Sequence, residues 1–284
     1  MFADCYSIVY IMFIRRLVID RSFFRVYICF IEIRGELAML ELKDVCVAAG
    51  GGGESGVEII NNVSLSLSGK KIYVITGPNG GGKTSLAKAI MGIYPLSGGS
   101  IFLDGDDISG KTITERANLG VGYAFQSPTR FKGLRVRELL SIAARGGDEK
   151  KLYSLLVDVG LCAQDYIDRE LNASFSGGEL KRVEIASILA RDLRVALFDE
   201  PEAGIDLWSF QKLTETFKLM NEMSDATIII ISHQERILKL ADEVILIAGG
   251  RVAEVTSPDK ILGDINCNLD CDCINCVEKG VTVC

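Results

Sequence analysis

The sequence predicts an α/β domain with a mostly parallel sheet. Short apolar stretches at residues 71–76, 195–198 and 227–232 have the length of buried strands, and segments with helical spacing of apolar residues separate them. Alternating strands and helices produce a parallel sheet that is covered on both faces. The 284 residues are enough for one large domain with a sizeable core.

The elements follow one another without an internal repeat or a Pro-rich linker. Alternating apolar and polar residues predict half-buried strands, short apolar runs predict buried strands, and a 3.6-residue apolar period predicts helices. A Gly-rich turn at residues 48–56 separates the first two strands. The predicted strands are residues 40–47, 59–67, 71–76, 100–103, 195–198, 227–232 and 243–248. The predicted helices are residues 84–91, 135–145, 150–160, 179–191 and 207–223.

Composition and charge narrow the classes of function. Hydrophobic residues make up 48% of the chain and charged residues 24%, which excludes a disordered, collagen-like or purely coiled-coil chain. The formal net charge is −7 and the sequence has no long basic run, so nucleic acid is a poor candidate for a partner.

Residues 1–38 differ from the rest, because 26 of them are apolar and 8 of the 21 aromatic residues of the chain lie there. Their longest stretch without a charge, Cys5–Ile14, has ten residues, whereas a membrane-spanning helix needs about 20. The arginines follow this stretch, unlike those of a signal peptide. Two interpretations remain: a peripheral membrane anchor, or a translated leader outside the native chain. We expect the leader, because the domain pattern begins at Met39.

A glycine-rich loop follows the strand at 71–76. Residues 77–84 read Gly-Pro-Asn-Gly-Gly-Gly-Lys-Thr and fit G-x-x-x-x-G-K-[ST] between a strand and a helix. Backbone N–H groups of such a loop bind phosphate. We expect Lys83 to reach the β- and γ-phosphates of a nucleotide and Thr84 to ligate Mg²⁺. The predicted nucleotide-binding residues here are Gly77, Pro78, Asn79, Gly80, Gly81, Gly82, Lys83, Thr84 and Ser85.

Polar residues at other strand ends predict a hydrolytic site. Asp199 and Glu200 follow the strand at 195–198, at the edge where a parallel sheet binds its ligand. We expect Asp199 to hold Mg²⁺ and Glu200 to polarise the attacking water as a base. His233, the one histidine of the chain, is a candidate contact of the γ-phosphate. Gln126 follows another strand and is a candidate for sensing Mg²⁺ and water.

The segment Ser176-Gly177-Gly178-Glu179 opens the helix predicted at 179–191. Its free N–H groups and hydroxyl are suited to an anion. The alternative is a capping box, in which Ser176 and Glu179 only stabilise the start of the helix.

The order of these motifs resembles the ABC ATPases. The phosphate loop, Gln126, the Ser-Gly-Gly segment, the two acids and His233 follow one another as in that family, over residues 39 to about 257. The resemblance implies a P-loop NTPase fold in which an antiparallel β subdomain and a helical subdomain, inserted at about residues 126–184, accompany the main sheet. ATP and Mg²⁺ are the implied cofactors.

The resemblance also implies a transient head-to-tail dimer that is formed on binding ATP. Each ATP would lie between the phosphate loop of one subunit and Ser176, Gly177 and Gly178 of the other. Asp206 would couple the two sites. No Phe, Tyr or Trp occurs between residues 39 and 72, where ABC transporters usually stack the adenine, so base selectivity should be modest.

Three details resemble one branch of the family, the Suf-type ATPases of iron–sulfur cluster assembly. Phe175 and Glu179 flank Ser-Gly-Gly, where transporters usually carry Leu and Gln. Gly204 stands where transporters usually carry Ala, and Arg236 belongs to a Suf-like histidine motif. Pro201, after the two acids, departs towards the transporter form.

This second resemblance implies a cytoplasmic ATPase, without a membrane span, that powers a Suf-type scaffold protein (SufB/SufD-like). The alternative is the ATP-binding subunit of a membrane ABC transporter, whose partner would be a permease with many spanning helices.

Residues 258–284 are predicted to form a cysteine-rich C-terminal tail, with five of the nine cysteines in the last 18 residues. An odd count spread this unevenly is unlike a secreted disulfide framework. The candidate ligands of Zn²⁺ or an iron–sulfur cluster are Cys267, Cys271, Cys273 and Cys276. A reduced tail without a ligand is the alternative. Cys46 and Cys162 lie among apolar residues and are predicted to be buried in the core.

Overall fold

The computed structural model describes residues 38–49, 57–172 and 174–269, with side chains at residues 39–48, 58–172 and 174–263. The predicted leader lies outside these ranges except for Ala38. Most of the cysteine-rich tail, including the side chains of all its cysteines, also lies outside them.

Two kinds of element fill the described ranges, and each helix and strand predicted from the sequence is present within about two residues of its expected ends. The strands are β1 (Ala38–Ala49), β2 (Val57–Ser68), β3 (Ile72–Thr76), β4 (Gly98–Leu103), β5 (Asp106–Asp107), β6 (Val121–Ala124), β7 (Val195–Asp199), β8 (Thr227–Ile231), β9 (Glu243–Ala248) and β10 (Arg251–Thr256). The helices are α1 (Lys83–Met91), α2 (Ile113–Asn118), α3 (Val136–Ala143), α4 (Glu149–Asp158), α5 (Ala163–Tyr166), α6 (Gly177–Leu189), α7 (Leu207–Met223), α8 (Glu235–Leu238) and α9 (Pro258–Leu269).

The strands form two sheets, which confirms the predicted fold class. The larger sheet has the order β10-β9-β3-β8-β7-β6, and all its pairings are parallel except that of β9 with β10. The smaller sheet has the order β2-β1-β4-β5, with antiparallel pairing of β1 with β4 and of β4 with β5. The carboxyl ends of β3, β6, β7 and β8 therefore meet at one edge of the larger sheet.

Alternate side chains of the larger sheet enter two separate cores. In β8, Ile229 and Ile231 pack with residues of β1, β4 and α1, whereas Ile228 and Ile230 pack with residues of α6 and α7. All four isoleucines are at most 1% exposed. Burial of each contributes about 1.5–3 kcal/mol relative to exposure, so the sheet is stabilised from both faces.

Helices α3, α4 and α5 fall within residues 126–184, the segment expected to form the helical subdomain, and α6 begins there. Leu140 of α3 and Leu156 of α4 are fully buried against apolar residues of α6, in the same core as one face of the sheet. None of the helices in the described ranges has the length and apolar character that a bilayer span requires.

The burial predicted for two cysteines is wrong. Cys162 is exposed, because it immediately precedes the short helix α5 and lies between the buried Leu161 and Ala163, with its own side chain directed outward. Cys46 is half-buried, and its thiol donates a hydrogen bond to Asn62 Oδ1 at 3.2 Å. Apolar neighbours in sequence therefore did not place either thiol in the core.

Candidate active site

The phosphate loop connects β3 to α1 and requires glycine at two positions. Gly77 and Gly82 have φ angles of 136° and 103°, which side chains rarely adopt. A Cβ on Gly77 would lie 2.0 Å from Ile247 O, and one on Gly82 would lie 2.7 Å from Ile60 Cδ1. The loop is thus pressed against β9 and β2, and its backbone is fixed by its surroundings.

The remaining loop residues form one turn. Pro78, Asn79 and Gly80 are exposed at its tip, and Gly81 N donates to Pro78 O at 3.1 Å. Gly81 O accepts from Gly250 N at 3.0 Å, which ties the turn to the start of β10. Ser85 lies in the first turn of α1 and is half-buried.

Lys83 directs its ammonium into its own loop. The side chain is buried, and Nζ donates to Gly77 O at 2.8 Å and to Pro78 O at 2.9 Å. Burial lowers the pKa of Lys83, and the nearby carboxylates Glu200 and Asp199 oppose this shift. Within the described residues no carboxylate forms an ion pair with this cation.

Asp199, at the end of β7, holds its carboxylate in a fixed orientation. The residue is 1% exposed, and Oδ1 accepts a hydrogen bond from Thr84 Oγ1 at 3.1 Å. Oδ2 accepts one from the hydroxyl of Tyr123 in β6 at 2.8 Å. Burial is the main cause of a raised pKa of Tyr123, and the negative charge of Asp199 raises it further. The phenol therefore keeps its proton and remains a hydrogen-bond donor.

The oxygen donors of Thr84 and Asp199 fit a magnesium ion. Mg²⁺ takes oxygen ligands and is usually held by one or two protein groups together with phosphate oxygens and waters. The pair lies beside the phosphate loop, with one negative charge buried at the strand end. Among the described residues, no group of three or more His, Cys, Asp and Glu side chains could hold a metal by itself.

Glu200 and Gln126 are brought together. Gln126 Nε2 donates to Glu200 Oε2 at 2.7 Å, although 74 residues separate them in the chain. Glu200 has a φ angle of 44°, a conformation that costs a non-glycine residue free energy. Its N–H donates to Ile231 O at 3.0 Å, so pairing with β8 holds the strained residue in place.

His233 follows β8 and contacts the end of β3. Its Nδ1 lies 3.2 Å from Thr76 Oγ1, the residue immediately before the phosphate loop. With the hydroxyl as the donor, Nδ1 is the acceptor and Nε2 carries the proton. Burial and the charge of Lys83 lower the pKa of His233, which favours the neutral ring at neutral pH.

A buried lysine of α6 contacts the carboxyl edge of the larger sheet. Lys181 is 1% exposed, and its Nζ donates to the backbone oxygens of Phe125, Gln126 and Asp199. Glu184, one turn further along α6, accepts a hydrogen bond from Phe125 N at 3.1 Å. Its Oε2 lies 3.9 Å from Lys181 Nζ and has no hydrogen-bond partner within the part of the chain that the structure describes. Burial raises the pKa of Glu184 to about 7.

The start of α6 is a capping box. Ser176 Oγ accepts from Glu179 N at 3.2 Å, and Glu179 Oε2 accepts from Ser176 N at 2.7 Å. A Cβ on Gly178 would lie 2.3 Å from Gly204 O, whereas one on Gly177 would meet no atom within 4 Å. The face of Gly177 therefore remains open, and Gly178 packs against the loop before α7.

Asp206 begins α7, where its Oδ1 accepts hydrogen bonds from Trp208 N at 3.1 Å and Ser209 N at 3.0 Å. Its role within one chain is thus that of a helix cap.

The predicted site residues form two groups. The first group lies at the carboxyl edge of the larger sheet and consists of Lys83, Thr84, Gln126, Asp199, Glu200 and His233. Hydrogen bonds join Thr84 to Asp199 and Gln126 to Glu200 within it. In the hydrogen-bond network of the described residues, no bond joins this group to Ser176, Gly177, Gly178 or Asp206.

Sequence reasoning missed four side chains beside the first group: Tyr123, Thr76, Lys181 and Glu184. Three of them lie on predicted elements, but an apolar period cannot distinguish a buried polar side chain that contacts the site from one that only fills the core.

The comparisons with known proteins identify the family. The family model described as ABC transporter matches residues 60–203. The ABC transporter ATP-binding protein MJ0035 of Methanocaldococcus jannaschii is 35% identical over 234 residues, which cover 79% of this chain and 91% of that protein. The probable ATP-dependent transporter ycf16 of Cyanidium caldarium is 32% identical, with 69% of this chain and 84% of that protein covered.

Solved structures show the same fold. The dimeric, post-hydrolysis structure of the ATP-binding cassette MJ0796 bound to ADP and Pi has a TM-score of 0.70 at 22% identity, with 78% of this chain and 99% of that chain covered. The chain belongs to the ABC transporter family and is an ABC-type ATPase with the ATP-binding cassette fold.

Proposed function

We propose that Glu200 is the base that accepts a proton from the water attacking the γ-phosphate, and that Gln126 orients it. The hydrogen bond of 2.7 Å between their side chains is the observation that carries this proposal. A base at this position is typically worth about 10²–10⁴-fold in rate. His233, with the proton on Nε2, donates to a γ-phosphate oxygen.

The phosphate loop and Lys83 bind the phosphates of ATP. Lys83 is a buried ammonium whose partners are two carbonyl oxygens, so a phosphate would gain a charge-assisted hydrogen bond from it. Thr84 and Asp199 hold Mg²⁺, which when bound neutralises charge on the β- and γ-phosphates. Gln126 is a further candidate ligand.

A second copy of the chain completes the site. Among the described residues, no hydrogen bond joins Ser176, Gly177 or Gly178 to the phosphate loop of the same chain, and no atom lies within 4 Å of a Cβ placed on Gly177. Support comes from the dimeric structure of MJ0796, a cassette with the same fold. In the resulting dimer each Ser-Gly-Gly segment contacts the ATP of the partner subunit, and Asp206 lies between the two sites.

The cycle of ATP binding and hydrolysis drives a protein partner, and we propose a Suf-type iron–sulfur scaffold as that partner. The support is the set Phe175, Glu179, Gly204 and Arg236, which resembles the Suf-type ATPases. The alternative, a transporter permease, is favoured by the relatives, whose names refer to transport.

Affinity capture distinguishes the two partners. Glu200→Gln should hold the ATP-bound state, and Lys83→Ala, which should bind ATP poorly, is the matched control. Capture from the native host under anaerobic conditions with mild detergent, in the presence of ATP, should recover an iron-containing scaffold without spanning helices on the first variant only. The purified scaffold should raise the ATPase rate of the parent chain. Recovery of a polytopic membrane protein instead would establish the transporter alternative.

The tail cysteines are a separate prediction. Zn²⁺ or an iron–sulfur cluster on Cys267, Cys271, Cys273 and Cys276 rests on the sequence, since these thiols lie outside the described side chains. Metal analysis of the anaerobically purified chain, compared with a chain that ends at residue 266, tests it. If the two chains contain the same amount of zinc and the same amount of iron, the tail cysteines do not form a metal site.

A further inference from the structure

The side chain of Tyr123 is buried in an apolar core beside the carboxyl edge of the larger sheet, and its hydroxyl is a polar group within that core. The residue is 6% exposed and lies in β6, next to β7, in the core that also contains α1. The ring of Phe125 packs edge-on against the ring of Tyr123, with centroids 4.7 Å apart. Burial in this core and the contact with Phe125 therefore restrict the position of the hydroxyl.

Among the described residues, the hydroxyl of Tyr123 has one hydrogen-bond partner, the carboxylate of Asp199. Its hydrogen bond to Oδ2 is 2.8 Å long, and Thr84 occupies the other oxygen at 3.1 Å. A carboxylate held by donors at both oxygens cannot rotate about its terminal bond without losing one of them. Tyr123 thus restricts Asp199 to the orientation in which Oδ1 faces Thr84.

We propose that Tyr123 is a positioning residue for magnesium, acting through the orientation of Asp199. This inference rests on the proposed role of Asp199 as a magnesium ligand. Groups that orient metal ligands typically contribute about 10- to 100-fold to metal affinity. Tyr123 itself does not touch the metal or the nucleotide.

A neighbouring tyrosine provides a matched control. Tyr73 in β3 is 1% exposed and belongs to the same core, and its hydroxyl accepts a hydrogen bond from Ser68 N at 2.9 Å. Ser68 ends β2, away from the carboxyl edge of the sheet. Tyr73→Phe therefore removes an equally buried hydroxyl that has no contact with Asp199.

The test measures how strongly magnesium tightens ADP binding. Calorimetric titration gives the Kd for ADP in excess EDTA and in saturating Mg²⁺, and the ratio of the two values reports the coupling between metal and nucleotide. We expect Tyr123→Phe to reduce this ratio about tenfold and to leave the Kd in EDTA unchanged. Tyr73→Phe should leave both values unchanged. Thermal unfolding checks that each variant is folded.

Asp199→Asn separates the inference from the function on which it depends. If this variant keeps the parental ratio, the proposed role of Asp199 fails. If Asp199→Asn lowers the ratio of the two Kd values and Tyr123→Phe leaves it at the parental value, the role of Asp199 stands and the inference about Tyr123 is wrong. An equal loss in Tyr123→Phe and Tyr73→Phe would also overturn it, because the effect would then be one of general core stability.

A double variant keeps the proposal testable should Tyr123→Phe fail to fold. The side-chain amide introduced by Asp199→Asn is neutral, so losing the hydrogen bond from Tyr123 costs less there than on a buried carboxylate. Because Tyr123 acts through the carboxylate, Tyr123→Phe in the Asp199→Asn background should change the ratio no further than Asp199→Asn alone. A further loss in the double variant would show that Tyr123 acts by another route.

Discussion

At the scale of single residues, strain and charge concentrate on Glu200. The residue has a positive φ angle and keeps it because its N–H pairs with Ile231 O in β8. Replacement by Gln preserves the length of the side chain and an oxygen that accepts from Gln126 Nε2, and it removes the negative charge together with the ability to accept a proton.

Glu200→Gln should lower steady-state ATP hydrolysis by about 100-fold or more and leave ATP affinity within a factor of a few. The reason is that Lys83, Thr84 and the loop backbone, which bind the phosphates, are untouched. The rate of phosphate release and a fluorescent-ATP titration measure the two quantities. If the rate of hydrolysis falls by less than about tenfold, Glu200 is not the base.

A second effect at this scale concerns Glu184. Burial raises the pKa of its carboxyl group from 4.5 to about 7. Between pH 4.5 and pH 7 the folded chain therefore binds more protons than the unfolded chain. The contribution of Glu184 to stability is largest below about pH 4.5 and is lost as the pH rises through 7.

Glu184→Gln should therefore flatten the decline of thermal stability between about pH 5 and pH 7.5. Gln keeps an oxygen for the N–H of Phe125, so the backbone contact is preserved. Melting temperatures across this range measure the effect, and Glu222→Gln, an exposed site on α7, is the control. Parallel curves for Glu184→Gln and the parent would show that Glu184 is not the titrating group.

At the scale of elements, the contacts of α6 explain two residues that resemble the Suf branch. Glu179 accepts hydrogen bonds from Tyr166 and Ser176, and Gly204 has a φ angle of 74° opposite Gly178. Both residues are therefore accounted for by contacts inside the chain. Their resemblance to the Suf-type ATPases supports the proposed partner, and affinity capture tests it.

The packing of α6 against the loop before α7 gives a test with a built-in control. Gly178→Ala should lower the melting temperature, because its Cβ would overlap Gly204 O, and overpacking typically costs about 1–3 kcal/mol. Gly177→Ala should leave it equal or higher, since its Cβ meets no described atom within 4 Å and Ala restricts the unfolded chain more than Gly does. Equal changes in the two variants would contradict the packing.

The same scale shows where sequence reasoning succeeded. The bounds of α7 (Leu207–Met223) and β9 (Glu243–Ala248) coincide with the predicted ones. Asp206 caps α7, and Gly249 follows β9 directly, so local signals mark these ends. Five ordered motifs fixed the family because each has a recognisable residue pattern of its own.

Other features depend on contacts between distant segments and could not be predicted. Helix α2 (Ile113–Asn118) has no apolar period, because its buried member is Arg116, whose guanidinium donates to carbonyl oxygens of Ala89, Ile90 and Ser109. The bond from Tyr123 to Asp199 spans 76 residues, and no local pattern announces it.

At the scale of the whole molecule, one chain presents the site in two groups. The carboxyl edge of the larger sheet holds the groups for phosphate, metal and water, and the Ser-Gly-Gly segment has no bond to them among the described residues. In the proposed function, ATP joins two chains so that both groups contact the same nucleotide. A variant that binds ATP without hydrolysing it should accumulate the joined state.

Sedimentation velocity of Glu200→Gln with MgATP tests this proposal most directly. We expect about twice the mass of the single chain with MgATP, and the mass of the single chain with MgADP or without nucleotide. Lys83→Ala should remain a single chain throughout. A single chain in Glu200→Gln at saturating MgATP, or an equal dimer without nucleotide, would contradict the shared site.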